Sequence, residues 1–267
     1  MTTFIARQLP LRPFPHGTET PGPLGDHIMG MAVLGWLTER PVATWGEQWM
    51  RSGFLHATFS RAIAGGQHLM TEESDASGLV STTYRDAQGR VCVAGTATLT
   101  ASADGEPLVD VRDVVPRSPL LAPRATDLDG ATMPPLTFTF DAARDLAFLD
   151  GQPDAPEWQR RGWAHPAWLG TASNAVIMGN IDFDGRPTSS GRWLQVSADI
   201  ALVAPVVDGE VVELRSRIGR ITRRGRHDQH HVAHLECTYR VGARVVARLR
   251  NSFVFATDEP SPAPPHP

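Results

Sequence analysis

The chain has 267 residues, 41% of them hydrophobic, which is enough to bury one large core or two ordinary ones. Its formal net charge of −4 gives no electrostatic footprint for a nucleic-acid partner, and no apolar run reaches the roughly 18 residues of a membrane-spanning helix. The first residues lack the continuous apolar segment of a signal peptide, so we expect a cytoplasmic protein.

The first half of the chain predicts a helix followed by strands. Leu24 to Leu37 (LGDHIMGMAVLGWL) is apolar on most faces, as expected for a helix covered by a sheet. Residues 54–74 predict a strand, a break, a glycine-centred turn and a second strand. Thr83-Tyr84-Arg85 then continues into DAQGRVCVAGTATLT, the pattern of a β-hairpin. We assign residues 1–115 to this first unit of one mostly buried helix and four antiparallel strands.

A linker and a further strand come next. Residues 116–135 are rich in Pro, Ala and Asp, which is typical of a connection between domains. Leu136–Phe140 (LTFTF) alternates in polarity and is expected to open the second unit as a strand. That unit is assigned to residues 136–257, and the proline-rich residues 258–267 are expected to be a disordered tail.

The second unit repeats the pattern of the first. Ala164 to Met178 is another helix that is apolar on most faces. Residues 193–218 parallel residues 54–74, and Thr238-Tyr239-Arg240 followed by VGARVVARLRNSFVF repeats the hairpin. A repeat of this length predicts an internal duplication.

These patterns predict an α+β fold of the tandem double-hotdog type, with two antiparallel sheets each wrapped around a central helix. Two such units in one chain can pair their sheets edge to edge and so protect both edges. We expect both helices to direct their amino ends at a shared acyl pocket. The alternative is a single α+β domain whose halves are similar by coincidence.

Three segments carry a resemblance to a known family. The second half resembles the hotdog superfamily, and within it the MaoC-like acyl dehydratases, at RGWAHPAWLGTASNAVIMGN and SRIGRITRRGRHDQHHVAHLEC. The first half resembles the same group at TERPVATWGEQWMRSGFLHATFSRAI. This resemblance implies a substrate that is an acyl thioester of coenzyme A or of an acyl carrier protein, and a homodimer.

The segment His165-Pro166-Ala167-Trp168-Leu169 also resembles the HPALLD motif of polyketide-synthase dehydratase domains, which are double hotdogs. In that family the sixth position is the catalytic aspartate, but here it is Gly170. The resemblance therefore implies that the proton-handling acid of the second half is missing. We include Trp168 and Gly170 among the substrate-binding candidates because they lie in this segment.

His165 is the first catalytic candidate. Pro166 suits the first position of a helix, which places His165 at the N-cap beside free backbone N–H groups. Those amides can polarise a thioester carbonyl, and a neutral imidazole there can act as a general base. The alternative is a histidine that caps the helix through a local hydrogen bond.

Asp26 and His27 are the equivalent candidates at the start of the first helix. Asp26 is the only acid at the start of either helix, so it could act as the acid or orient a water, although aspartate is also a favoured N-cap. Asn174 lies about two and a half turns beyond His165 and is a candidate for binding a carbonyl or hydroxyl. A buried asparagine bonded to the backbone is the alternative.

Other chemistries find less support. Cys92 and Cys237 lie in apolar strands and are expected to be reduced, small buried hydrophobes. The histidines between His227 and His234 are not accompanied by the complete set of three or four ligands that a zinc site usually needs, so no metal is expected. No GxSxG elbow and no glycine-rich phosphate loop occur, so no cofactor is expected.

The leading hypothesis is an acyl-thioester hydro-lyase of the enoyl hydratase or β-hydroxyacyl dehydratase type. His165 would move the α-proton, Asp26 or His27 would handle the water, and helix amides would hold the enolate oxygen. The first alternative is an acyl thioesterase with an acid or Asn174 activating water. The second is a non-dehydrating protein, such as a polyketide cyclase, an isomerase or a silent acyl-binding protein.

Overall fold

A computed structural model describes residues 2–6, 28, 30–100, 108–112, 120–121, 128–150, 152–182, 193–224 and 230–255. The predicted site residues Asp26 and His27 lie outside these ranges, as does the predicted tail 258–267. None of the described helices is both long enough and apolar enough to cross a bilayer.

The first half consists of a strand, three helices and four strands. Their bounds in chain order are β1 (Thr2–Ile5), α1 (Gly30–Trp36), α2 (Glu39–Trp45), α3 (Glu47–Ser52), β2 (Phe54–Phe59), β3 (His68–Ala76), β4 (Leu79–Arg85) and β5 (Val91–Thr98). The predicted hairpin is confirmed, because β4 and β5 pair antiparallel across a turn in which Gly89 has a φ of 74°. The sequence did not predict β1, α2 or α3.

The second half follows the same order. After the two-residue strand β6 (Leu120–Leu121) its bounds are β7 (Thr132–Thr139), α4 (Ala142–Asp145), a single 3-10 turn (Ala147–Leu149), α5 (Ala155–Arg161), α6 (Pro166–Asn180), β8 (Ile181–Asp182), β9 (Trp193–Leu202), β10 (Val211–Arg224), β11 (His230–Val241) and β12 (Arg244–Phe255). The second predicted hairpin, β11–β12, is also observed. The opening strand β7 begins at Thr132, inside the predicted linker.

The two halves form one continuous sheet. Its ten strands lie in the order β1-β3-β4-β5-β2-β9-β12-β11-β10-β7, in which the second five mirror the first five. The halves meet where β2 pairs antiparallel with β9, Phe54 with Ala201 through Thr58 with Ser197. The internal duplication is therefore visible in the topology, and the two predicted sheets pair edge to edge, so that they form one continuous sheet. A single sheet with only two free edges exposes fewer unpaired backbone groups than two separate sheets.

The helices α1 and α6 pack against each other on one face of this sheet. Thr38, just after α1, contacts His165, just before α6, whereas Met31 near the start of α1 contacts Gly170 one turn into α6. The two helices are therefore antiparallel. Their amino ends lie at opposite ends of the helix pair, so the expectation that both point at one shared pocket is wrong.

A row of charged side chains crosses the junction of the halves on the opposite face of the sheet. His56 on β2 faces Asp199 on β9, and the row continues through Arg250, Glu236 and Arg217 on successive strands. Nδ1 of His56 lies 2.5 Å from Oδ1 of Asp199, and Arg217 lies 2.7 Å from Glu236. The hydrogen bond to Asp199 raises the pKa of His56 above its ordinary value of 6.5, and burial only partly opposes this.

We expect His56→Gln to destabilise the fold more in acid than in alkali. Because the folded-state pKa of His56 is raised, its pairing with Asp199 contributes stability below the ordinary pKa and loses it as the pH rises through the raised value. The side chain of His56 is 41% exposed, so the effect should be about 1 kcal/mol or less. Urea unfolding at about pH 5.5 and about pH 9 measures it. A loss of stability that is larger at the higher pH would contradict this assignment, and His68→Gln on β3 is the exposed control.

Candidate functional site

His165 caps the helix α6. The helix begins at Pro166, which has no N–H of its own, and the backbone N–H of Ala167 donates to Nδ1 of His165 at 3.1 Å. An Nδ1 that accepts a hydrogen bond leaves the proton of the neutral ring on Nε2. The side chain of His165 is completely buried. The position predicted from the sequence is confirmed, and the local hydrogen bond is the one expected of a cap.

The other ring nitrogen of His165 reaches the first half of the chain. Nε2 lies 3.0 Å from the hydroxyl of Thr38, which donates in turn to Oδ2 of Asp154 at 2.7 Å. The indole N–H of Trp158 donates to the same carboxylate oxygen at 3.0 Å. All four side chains are buried, so this network joins the two halves through the interior.

Asp154 is the only carboxylate in this network. Burial raises the pKa of its carboxyl, but His165 at 3.8 Å and the donors Thr38 and Trp158 outweigh burial, and the net pKa is lowered. An ionised carboxylate inside a protein is stable only when donors satisfy it. Because the folded-state pKa is depressed, this group stabilises the fold at neutral pH and loses that contribution as the pH falls.

Gly170 lies in the contact between α6 and α1. A Cβ atom built at Gly170 would stand 2.0 Å from Sδ of Met31, far inside the contact distance of real atoms. In this arrangement any side chain at position 170 requires the flexible side chain of Met31 to move. The aspartate that the dehydratase motif carries at this position would need the same displacement.

Trp168 belongs to the core. It is 5% exposed, and its ring packs edge-to-face against Phe138 and Phe140, with centroids 5.1 and 4.8 Å apart. These contacts hold α6 against the edge strand β7. The substrate-binding role of Trp168 stays a prediction.

Asn174 lies one turn beyond Gly170, and residues four apart share a helix face. It is therefore on the side of α6 that faces α1. Its Oδ1 is buried and has no hydrogen-bond partner among the described residues. A buried polar oxygen without a hydrogen-bond donor is rare, so a water molecule or a ligand is expected to donate to it.

Three side chains that the sequence did not single out form a polar cluster, which we call the amide cluster: Ser173, Gln195 and Asn251. Nε2 of Gln195 donates to Oδ1 of Asn251 at 2.9 Å, and Nδ2 of Asn251 donates to Oγ of Ser173 at 2.5 Å. The hydroxyl of Ser173 donates in turn to the carbonyl oxygen of Gly170 at 2.6 Å. These uncharged groups come from α6, β9 and β12, and no local motif links them. Only the inward-facing positions of Gln195 and Asn251 in their strands could have indicated them.

The histidine-rich segment does not assemble a metal site in the described part of the chain, where no group of three or more His, Cys, Asp or Glu side chains is placed to hold an ion. His231 is buried, and His234 bonds Ser252 on the neighbouring strand at 2.9 Å. His227 lies outside the described residues. Cys92 and Cys237 are free thiols, as predicted, and burial raises the pKa of both.

No protein-family model matches the chain, and no curated protein matches it. Similar folds do occur among solved structures. A putative oleoyl thioesterase from Lactobacillus plantarum is 11% identical with a TM-score of 0.52, over 95% of this chain and 96% of that one. A putative MaoC domain protein dehydratase from Chloroflexus aurantiacus is 10% identical with a TM-score of 0.54, over 86% and 82%. A conserved hypothetical protein of Mycobacterium tuberculosis, described as having a double hotdog fold, is 16% identical with a TM-score of 0.53, over 88% and 83%.

These similarities establish the fold. The mirrored ten-stranded sheet, with α1 and α6 packed on one face, is a double hotdog, and its neighbours are MaoC-like dehydratases and thioesterases. At such low identity the neighbours indicate the architecture and leave the reaction to the site itself.

The capping role of His165 predicts the effect of replacing it. His165→Ala should lower the free energy of unfolding by roughly 2–4 kcal/mol, because the helix loses its cap and buried partners lose a hydrogen bond. His165→Asn should recover about 1 kcal/mol, since asparagine is a favoured N-cap. Urea unfolding measures both, with the exposed His68→Ala as control. Unchanged stability of His165→Ala together with lost activity would instead support His165 as the general base.

Proposed function

We propose that this protein hydrolyses acyl thioesters at the interface between its two halves, with Asn174 holding the attacking water. The acyl group would arrive on coenzyme A or on an acyl carrier protein. Water adds to the thioester carbonyl, the C–S bond breaks, and the departing thiolate takes the proton that the water loses, so the products are a carboxylic acid and a thiol.

The unpartnered Oδ1 of Asn174 is the observation that carries this proposal. An amide oxygen accepts hydrogen bonds and needs a donor. A thioester has no hydrogen to donate, whereas water does. Asn174 can therefore orient a water molecule while its own Nδ2 group remains available as a donor to the thioester carbonyl.

The surroundings of Asn174 favour hydrolysis over proton abstraction. α6 carries no acidic residue, and Gly170 occupies the position of the dehydratase aspartate. Both ring nitrogens of His165 are engaged, by Ala167 and Thr38, and the ring has no exposed surface. Hydration needs a group that moves a proton at carbon, and these residues offer none in this arrangement, whereas in hydrolysis the proton that the water loses can go to the departing thiolate.

Hydration of an enoyl thioester is the second candidate, and the fold similarity to a putative MaoC dehydratase favours it. In that reaction the proton transfers would fall to His165, Asp26 and His27, the candidates at the predicted starts of the two helices. The variants Asp26→Asn and His27→Ala test this candidate directly. Each should abolish hydration if the residue moves a proton, and each should leave hydrolysis measurable if Asn174 positions the water.

One pair of assays separates the reaction classes. With crotonyl-coenzyme A, a hydro-lyase removes the absorbance of the conjugated double bond without releasing thiol, whereas a thioesterase releases a thiol that a colour reagent detects. We expect thiol release. Binding of the thioester with neither signal would identify a non-dehydrating or silent acyl-binding protein and overturn hydrolysis.

Substitution of Asn174 tests the role of its amide. Asn174→Leu keeps the volume but removes the acceptor, so we expect thiol release to fall about a hundredfold through loss of a positioned reactant. Asn174→Asp keeps an acceptor at the same place and adds a group that can take a proton, so its activity should equal or exceed that of the wild type. Steady-state kinetics with one acyl-coenzyme A substrate give both values.

Thr171→Val is the matched control for these variants. Thr171 lies on the same helix and its hydroxyl bonds the carbonyl of Ala167 at 2.9 Å, so its removal should leave kcat within about twofold. Full activity in a folded Asn174→Leu protein would remove Asn174 from the mechanism.

A further inference from the structure

We infer that Thr38 and Asp154 form an acid-sensitive switch that joins the two halves of the chain at the amino end of α6. While Asp154 is ionised, the hydroxyl of Thr38 in the first half donates to its carboxylate in the second half. When acid neutralises Asp154, the hydroxyl turns to a carbonyl of its own half, and this link between the halves is released. The inference does not depend on the proposed hydrolysis.

The hydroxyl of Thr38 has two acceptors at the same distance. Oδ2 of Asp154 and the backbone carbonyl oxygen of Gly35 each lie 2.7 Å from its Oγ1. A hydroxyl has one proton, so it donates fully to only one of them at a time. Because a charged acceptor makes the stronger hydrogen bond, the carboxylate receives it at neutral pH. The carbonyl of Gly35 is the alternative, which the hydroxyl reaches by rotating about its C–O bond.

The carboxylate of Asp154 receives its donors on one oxygen only. Thr38 and Trp158 both donate to Oδ2, whereas Oδ1 is buried without a hydrogen-bond partner among the described residues. Oδ1 is thus the oxygen to which a proton adds. Protonation removes the charge that strengthens both bonds at Oδ2. The amide carbonyl of Gly35 is then the better acceptor for Thr38.

The titratable groups around Asp154 determine how far the pH must fall. They are His165, with Nε2 at 3.8 Å from Oδ2, Glu39 at the start of α2, Glu73 on β3 and Tyr84 on β4. Burial, and then the charges of Asp154 and Glu73, raise the pKa of Glu39, while the pKa of Asp154 is lowered. Burial raises the pKa of Tyr84, which stays neutral. Glu39 therefore takes up a proton first, and its neutral form no longer repels the carboxylate.

The indole N–H of Trp158 provides a direct measurement, because it donates to the same carboxylate oxygen as Thr38. In protein with isotope-labelled tryptophan, its NMR signal, identified by comparison with Trp158→Phe, should move upfield as the pH falls from about 7 to about 3. Far-UV circular dichroism should stay constant over this range. Asp154→Asn should abolish the movement. A signal that still titrates in Asp154→Asn assigns the change to His165 and overturns the inference, as does a signal that moves only when the circular dichroism is lost.

Hydrogen exchange at the backbone N–H of Ala167 measures release of the link, since this group donates to His165, whose ring contacts Thr38. At about pH 7, Asp154→Asn should exchange about tenfold faster than wild type, and at about pH 3 the two should exchange equally. Comparison at one pH removes the effect of pH on the exchange chemistry. A ratio that is the same at both pH values makes Asp154 a constant structural residue and overturns the switch.

Asp150→Asn is the matched control for this experiment. Asp150 lies earlier in the same segment, is exposed, and accepts a hydrogen bond from Gln159 at 3.0 Å. Its variant should exchange like wild type at both pH values. An equal, pH-dependent acceleration in Asp150→Asn would overturn the assignment to Asp154.

Thr38→Val tests the hydroxyl and serves also if Asp154→Asn does not fold. It keeps the shape of the side chain but removes one donor to the carboxylate, so the pKa of Asp154 should rise. The midpoint of the Trp158 signal should therefore move about one pH unit higher. An unchanged midpoint in folded Thr38→Val overturns the role of the hydroxyl.

Glu39→Gln tests the order of protonation. The folded-state pKa of Glu39 is raised, so its ionised form opposes folding at neutral pH, and this cost disappears as the pH falls through the raised value. The substitution should raise the melting temperature by about 1–3 °C at about pH 7 and leave it unchanged at about pH 4. An equal gain at both pH values would overturn the part assigned to Glu39.

Discussion

The antiparallel pairing of β2 with β9 is the constraint on which the rest of the molecule depends. It joins two sheets of five strands into one, and it relates the halves by an approximate twofold axis through the junction. Because each half carries its helix at the same point of its own sequence, the axis brings α1 and α6 together on one face and makes them antiparallel. The contact of Gly170 with Met31 and the contact of His165 with Thr38 both follow from this arrangement.

Polar groups meet at both ends of this helix pair. At the amino end of α6, Thr38 and Trp158 donate to Oδ2 of the buried Asp154, and the network with His165 links the halves. Oδ1 of Asp154 has no hydrogen-bond partner among the described residues. One turn beyond Gly170, Oδ1 of Asn174 is likewise buried without a donor in the described part of the protein. An unsatisfied buried group marks a place for a ligand or water, and the proposed hydrolysis depends on the second of these two groups.

The sequence predicted what depends on local patterns. Both hairpins followed from alternating strands around glycine turns, and Gly89 and Gly242 indeed have positive φ. Pro166 correctly placed His165 at the start of a helix. Alternation shows which strand face is buried but not which strand lies beside it, so the edge-to-edge pairing of the two sheets was expected but not the strands β2 and β9 that form it. Thr38 is far from His165 along the chain, so the contact between them could not be predicted from local patterns either. For the same reason the amide cluster, assembled from α6, β9 and β12, could not be predicted.

The covalent joining of the two halves has a consequence for how such a protein can evolve. In a dimer of identical single-unit chains, every substitution appears on both sides of the axis. Here the related helices have diverged freely: from Met31 to Trp36, α1 is wholly apolar apart from Gly35, whereas α6 carries Ser173 and Asn174. One helix is thus an apolar packing element while its counterpart carries polar side chains, a difference that strict symmetry forbids.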